Sequence, residues 1–357
     1  MRKIKLGVVY GGMSTENEVS CISGASIIKN LNKEKYDIYP IFIDKNGKWF
    51  KANNLENKVL INNVMEYLKS LDVIFPVLHG LYGEDGTIQG LFELLKKPYV
   101  GCGVLASSVG MDKVYSKIIF NKAGINQAKC VYIRKYDEKY IYINDEFDEK
   151  ILDLNEILAL IIEKLQFPMF IKPSNSGSSV GISKAHDKKE LEEAIVEAEK
   201  YDRKILIEQG INGREVECAV LGNEEVITSC IGEVKAADEF YSYDAKYNNQ
   251  ESKTLIPAEI SEDKAKEIQQ LAKKAFKAID GKGLSRVDFF IEDGTENVYI
   301  NEINTLPGFT SISMYPKLFE QVGIPYSELL DKLIELAQKN PYKCMDFFSI
   351  WCYNIST

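Results

Sequence analysis

Residues 286–304 read RVDFFIEDGTENVYINEIN, two runs rich in β-forming residues joined by Asp293-Gly294-Thr295. That pattern is a hairpin. Alternate residues of a strand share a face, so Arg286 and Asp288 point the same way, as do Glu302 and Asn304. A hairpin centred on Thr295 sets Asp288 opposite Glu302. Two facing carboxylates repel unless a positive charge lies between them. With the Asn304 carbonyl they form an all-oxygen set suited to Mg²⁺, whose other ligands are typically water and substrate phosphates. The competing reading is a solvated hairpin whose polar face meets water. Val298 and Ile300, expected on the carboxylate face, speak against it, because buried carboxylates need partners.

Upstream, residues 170–183 read FIKPSNSGSSVGIS. A strand delivers Lys172 into a loop of small, backbone-permissive residues. Gly and Ser let backbone N–H groups approach an anion, and Lys supplies a point charge for phosphate. The Lys precedes the loop here, so this is not the GxxxxGK[ST] pattern. A plain Ser/Gly turn beside a surface lysine is the alternative.

The rest of the chain organises around these two signals. Residues 1–105 alternate short apolar runs (5–10, 36–43, 73–78, 99–100) with helical segments, the pattern of βαβ units and a parallel sheet. The segment 111–124 reads as a helix closed by Gly124. A second unit, 106–207, holds the Lys172 strand, a strand at 205–208 and a helix begun by Asp187 with Glu190 three positions on. That helix places Leu191, Ala194, Ile195 and Ala198 on one face. A third unit, 208–340, holds strands at 216–221, 284–291 and 297–303 and a helix after Ser261. Residues 134–153 are unusually charged and read as a surface insertion, and the tail 341–357 fits no element.

Composition excludes several classes. With 44 Lys+Arg against 53 Asp+Glu the net charge is −9, so nucleic-acid or anionic-membrane binding, which runs on surplus cations, is not expected. The mean hydropathy of −0.19 is that of a folded, water-soluble chain. No stretch approaches a membrane span, and the first apolar run is too short for a secretory signal. Seven scattered Cys without a CxxC pair read as reduced thiols, and two His exclude a His-rich metal site. A cytoplasmic location is expected.

A phosphate-binding Lys loop followed by an Asp…Glu-x-Asn hairpin resembles the ATP-grasp enzymes. The resemblance narrows further. GGMSTENEVS (11–20), HGLYGEDGTIQG (79–90), GMDKVYSK (110–117), IKPSNSGSSVGIS (171–183), FYSYDAKY (240–247), SRVDFF (285–290) and NEINTLPGFTSISMYP (301–316) resemble the D-alanine-D-alanine ligase signatures, in the family's order. The resemblance implies an α/β chain of three-domain ATP-grasp architecture with an N-terminal parallel-sheet domain at 1–105, a central subdomain at 106–207 and a C-terminal one at 208–340. It implies ligation of two D-alanine molecules at the expense of ATP, through an acyl phosphate, for peptidoglycan synthesis, by a homodimer.

Site residues follow by position from the same resemblance. Lys113, Lys172 and Lys246 should contact ATP phosphates, while Glu208, Ile211 and Glu215 should hold adenine and ribose. Asp288, Glu302 and Asn304 match the ligands of two Mg²⁺ ions, with Mn²⁺ a possible substitute. Arg286 and the N–H of Gly308 match the oxyanion site. Glu16 should receive the first D-alanine's ammonium in a hydrogen-bonded set with Ser178 and Tyr247. His79 falls near the first substrate and Ser313 at the second substrate's carboxylate. Segment 238–253 should be a lid over ATP. Tyr247, and Met314 where lactate-forming relatives carry Arg, favour D-alanine in the second site. D-serine is excluded less firmly, since a pocket rejects one added hydroxyl weakly. Another ATP-grasp carboxylate-amine ligase, or a nucleotide-binding protein without catalysis, are the remaining alternatives.

Overall fold

A computed structural model of the chain describes residues 2–52, 57–177, 179–235 and 253–339. Ser178, Lys246 and Tyr247, nearly all of the expected lid and the tail beyond 340 lie outside the described residues.

The first sheet is built from β1 (Ile4–Gly11), β2 (Tyr36–Ile43), β3 (Trp49–Ala52), β4 (Lys58–Leu60) and β5 (Val73–Val77), in the order β4-β3-β2-β1-β5. β1 pairs in parallel with both β2 and β5, as βαβ alternation requires. The sheet is nonetheless mixed, because β3 and β4 extend it antiparallel. These strands escaped the sequence reading because they are short and carry Lys51 and Lys58, the kind of residues that blunt a sheet edge. Helices α1 (Asn17–Asn30), α2 (Val64–Lys69), α3 (Thr87–Leu94), α4 (Val104–Met111) and α5 (Lys113–Lys122) complete this part. Asp112 caps α5 by accepting from the N–H groups of Val114 and Tyr115 at 3.1 and 3.2 Å.

The second sheet is antiparallel throughout. It contains β6 (Cys130–Tyr136), β7 (Lys139–Ile143), β8 (Glu149–Leu152), β9 (Met169–Pro173), β10 (Ser183–Ala185) and β11 (Lys204–Gln209), in the order β10-β9-β11-β6-β7-β8. Residues 134–153 are therefore not a surface insertion but half of this sheet. Most of their charges sit on exposed positions, Arg134 and Lys135 are half-buried, and Tyr140, Ile141, Ile143 and Leu152 are buried. Helices α6 (Leu154–Lys164) and α7 (Lys188–Ala198) cover one face. In α7 Leu191, Ala194, Ile195 and Ala198 are the buried residues, as the 3.6-residue period demands. Asp187 caps it, but the reciprocal Glu190 carboxylate takes the His186 N–H instead of that of Asp187.

The third sheet, β12 (Gly213–Gly222), β13 (Val226–Lys235), β14 (Lys253–Leu255), β15 (Gly283–Glu292) and β16 (Val298–Asn304), runs β14-β13-β12-β15-β16, all antiparallel. Helix α8 (Glu262–Ala278) buries Ile268, Ala272, Ala275 and Phe276 against it. Helices α9 (Met314–Gln321) and α10 (Tyr326–Lys339) turn back towards the first sheet, where Leu329, Leu330, Leu333 and Ile334 share one core with Leu6, Val8 and Phe75. Only Gly210, Ile211 and Asn212 separate β11 from β12, so the second and third sheets are held close at one end.

Candidate active site

The cleft between the second and third sheets, closed at one end by loops of the first, has a volume of about 630 Å³. Every candidate site residue within the described residues lines it: Glu16, His79, Lys113, Lys172, Glu208, Ile211, Glu215, Arg286, Asp288, Glu302, Asn304, Gly308, Ser313 and Met314. They come from strands of the second and third sheets and from helices and loops around all three, at chain positions nearly the whole length apart.

Its floor is a strip of charge laid across three strands. Glu217 of β12 registers with Asp288 of β15, and Asp288 with Glu302 of β16. Beside that row Arg286 registers with Asn304. The pairing of Asp288 with Glu302 agrees with the sequence reading, but a bulge produces it. Beyond Asp288 the register slips, so that Phe289 faces Ile300 and Asn301 is the extra residue. The bulge also overturns an expectation: Val298 and Ile300 turn into the core with Val287, Phe289 and Ile291, away from the carboxylates. The carboxylates are instead held by Arg286. Its Nε and Nη2 donate to the two Asp288 oxygens at 2.7 and 2.6 Å, and Nε lies 3.1 Å from Glu217 Oε2. Burial opposes the guanidinium charge, but Asp288 and Glu217 outweigh it and hold the Arg286 pKa well above its usual value.

The cationic wall comes from β9 and α5. Lys172 Nζ is 2.5 Å from Glu208 Oε2 and 3.4 Å from the side-chain Oδ1 of Asn301. The other Glu208 oxygen is met by Lys117, one helical turn after Lys113. Burial would raise the Glu208 carboxyl, yet the two ammonium groups pull it down to about 2. Burial would likewise lower Lys172, and Glu208 reverses that. Lys113 Nζ donates to the Ser176 carbonyl at 2.7 Å and stands 3.8 Å from Glu302. Ile211, half-buried in the link between the sheets, and Glu215, in register with Phe290, flank the same wall.

At the far end, Glu16 begins α1 without capping it, and its carboxylate turns into the cleft. A Cβ on Gly80 or Gly177 would lie 2.6 or 2.9 Å from Glu16 Oε2, so these glycines let two loops close over it. Buried His79 has Nε2 3.0 Å from Ser23 Oγ and Nδ1 3.8 Å from Glu84. Burial lowers its pKa, but Glu84 and Glu16 more than compensate, and the net direction is upward. Ser23 Oγ in turn accepts the Phe309 N–H at 3.3 Å. Phe309 is fully buried, edge-on to Phe75 at 5.9 Å, which fixes the loop that presents Gly308. A Cβ at Gly308 would meet Ser313 Oγ at 2.8 Å. That hydroxyl accepts the Thr310 N–H at 2.9 Å. Met314 lines the cleft with its methyl buried against Gly232, where a Cβ would stand 2.4 Å away.

Residues 5–102 match the family described as D-ala D-ala ligase N-terminus, and 119–335 match D-ala D-ala ligase C-terminus. The chain belongs to the D-alanine–D-alanine ligase family. A D-alanine–D-alanine ligase of Acetivibrio thermocellus is 50% identical, over 94% of this chain and 96% of its own. One from Clostridium novyi is 48% identical, over 96% and 100%. Among solved structures, the VanG D-Ala:D-Ser ligase of Enterococcus faecalis superposes with a TM-score of 0.82 at 36% identity, over 94% of this chain and all of its own. The D-alanine-D-alanine ligase of Coxiella burnetii gives 0.79 at 32%, over 99% and 98%.

Members of this ATP-grasp family use ATP and a divalent cation. The donors fit a hard cation: Asp288, Glu302 and Asn304 offer oxygen alone and face one cleft. Among the described residues no three His, Cys, Asp or Glu close on one point, and the Asn304 amide oxygen accepts the Leu306 N–H at 3.1 Å. No helix among the described residues is long and apolar enough to cross a membrane.

Four residues of the site escaped the sequence reading. Lys117 shares a helix face with Lys113 at i+4, and Glu217 a strand face with Glu215 at i+2, so both were within reach of periodicity. Asn301 needed the bulge and Ser23 the tertiary fold.

Proposed function

We propose that the protein joins two D-alanine molecules into D-alanyl-D-alanine, a peptidoglycan precursor, with ATP converted to ADP and phosphate. The observation that carries this reading is that the lysine wall, the strip with Asp288, Glu302 and Asn304, and the end with Glu16, His79 and Ser313 meet in one cleft. In this reading ATP lies between the units 106–207 and 208–340, and the unit 1–105 presents the first D-alanine. Asp288, Glu302 and Asn304 would hold Mg²⁺ (two ions, or Mn²⁺ in its place), which would supply charge neutralisation at the phosphates.

The chain's own groups do the rest. Lys113, Lys172 and Lys246 draw the phosphates into line, and Ile211, Glu208 and Glu215 seat adenine and ribose. Glu16, with Ser178 and Tyr247, holds the first ammonium, so that its carboxylate oxygen attacks the γ-phosphorus and ADP leaves. His79, whose pKa burial lowers but Glu84 and Glu16 raise on balance, stands near that carboxylate. Ser313 takes the second carboxylate. The second amine, once deprotonated, attacks the acyl carbon, and the oxygen that becomes negative meets Arg286 and the Gly308 N–H. Collapse expels phosphate and leaves the peptide bond. The segment around Tyr247 excludes water from the acyl phosphate. A cytoplasmic homodimer is the expected state.

The likeness to a D-Ala:D-Ser ligase raises a second reading, in which D-serine takes the second site. Met314 and Tyr247 favour D-alanine. Phosphate release from Mg-ATP by purified protein, with D-alanine alone and then with D-serine or D-lactate added, separates them. Release with D-alanine alone supports the main reading, release only with D-serine the second, and no release rejects both.

A further inference from the structure

Glu208, next to the last residue of β11, has both carboxylate oxygens on lysines, Lys172 on one and Lys117 on the other. It is 4% exposed. The functional reading asks both Lys172 and Glu208 to serve ATP, Lys172 at the phosphates and Glu208 at the hydrogen-bond donors of the base. They cannot do so while paired with each other. When ATP draws Lys172 away, a buried carboxylate left alone would take up a proton, because burial penalises its charged form. It would then be a donor as well as an acceptor.

Lys117 is the group that remains. Its side chain is 7% exposed, its own carbonyl accepts from Gln127 at 2.8 Å, and its helix is capped by Asp112, so it has no path to the phosphates comparable to that of Lys172 on its loop-bearing strand. Before ATP arrives the three groups carry a surplus positive charge, and afterwards Lys117 and Glu208 neutralise each other. We propose that Lys117 is a positioning residue for the nucleotide: it keeps Glu208 ionised as a pure acceptor facing the base while Lys172 passes to the phosphates. Base selectivity thus rests on a lysine behind the carboxylate. The inference depends on the ATP reading above and extends it to which base is chosen.

The test is calorimetric binding of Mg-ATP and Mg-ITP, without D-alanine, to the wild type, Lys117→Met and Lys117→Arg, with steady-state constants for all three. ITP carries an oxo group where ATP carries the donor amine, so an ionised Glu208 repels it and a protonated one accommodates it. For Lys117→Met, affinity for ATP should fall about tenfold and the ATP-over-ITP preference by a similar factor, the scale of a lost charged hydrogen bond. The KM for D-alanine should stay put, and Lys117→Arg should keep the preference. A Met variant that retains the preference, or one whose ATP and D-alanine constants worsen together, overturns the proposal. If the Met variant does not fold, Lys117→Arg decides, since lost preference with the charge retained would also overturn it. Wild-type protein that binds neither nucleotide would instead reject the ATP reading itself.

Discussion

Arg286 donates both hydrogen bonds of its fork to the carboxylate of Asp288, two residues on along the same strand, at 2.7 and 2.6 Å. The guanidinium thus stands where the carboxylate strip needs positive charge. In the proposed function a cation held at Asp288 would compete for the same oxygens, while Glu217, 3.1 Å from Arg286 Nε, would keep the arginine in place.

Arg286→Lys keeps a charge but loses the fork. It should lower kcat by about 10²-fold or more, the cost of losing an oxyanion donor, with KM for ATP little changed. Initial rates at saturating substrate check this.

Asp288→Asn should raise the concentration of Mg²⁺ needed for half-maximal rate by about tenfold or more, while Arg286 keeps its bond to Glu217. A Mg²⁺ titration of activity, after a chelator has stripped the wild type to inactivity, reads the effect directly.

Gly177→Ala places a Cβ 2.9 Å from Glu16 Oε2, and the carboxylate must shift. The KM for D-alanine should rise about tenfold, on the scale of a weakened charge-assisted hydrogen bond, with KM for ATP nearly constant. Equal losses in both constants would point to a collapsed loop instead.

His79 and Glu208 impose opposite pH dependences on stability. The folded His79 pKa is raised above 6.5, so its contribution is complete below that value and is lost as pH climbs through the folded pKa. Glu208 is lowered from 4.5 to about 2, so its contribution is complete above 4.5 and is lost as pH falls towards 2. Urea midpoints across this range should form a dome. His79→Asn should flatten its alkaline side and Glu208→Gln its acid side.

The sequence disclosed the site better than the sheets that build it. Lys172, Asp288, Glu302 and Asn304 were legible because each chemistry needs a particular residue type at a particular spacing. Strands β3, β7 and β8 were not, because each is only four or five residues long, Lys51 and Lys150 break β3 and β8, and only neighbouring strands supply the burial. The hairpin is the instructive case. Counting from the turn paired Asp288 with Glu302 correctly, but it placed Ile300 on the wrong face, since a bulge at Asn301 leaves no mark in the residue types. Lys117 was missed although i+4 spacing from Lys113 was visible, because nothing in the sequence says that Glu208 lies opposite.

In the proposed reaction a D-alanine carboxylate oxygen attacks the γ-phosphorus and departs with phosphate. D-alanine labelled with ¹⁸O in its carboxylate is turned over with unlabelled Mg-ATP, and dipeptide and phosphate are analysed by mass. Each dipeptide formed should be matched by one phosphate carrying a single ¹⁸O. Dipeptide accompanied by unlabelled phosphate would rule out the acyl phosphate.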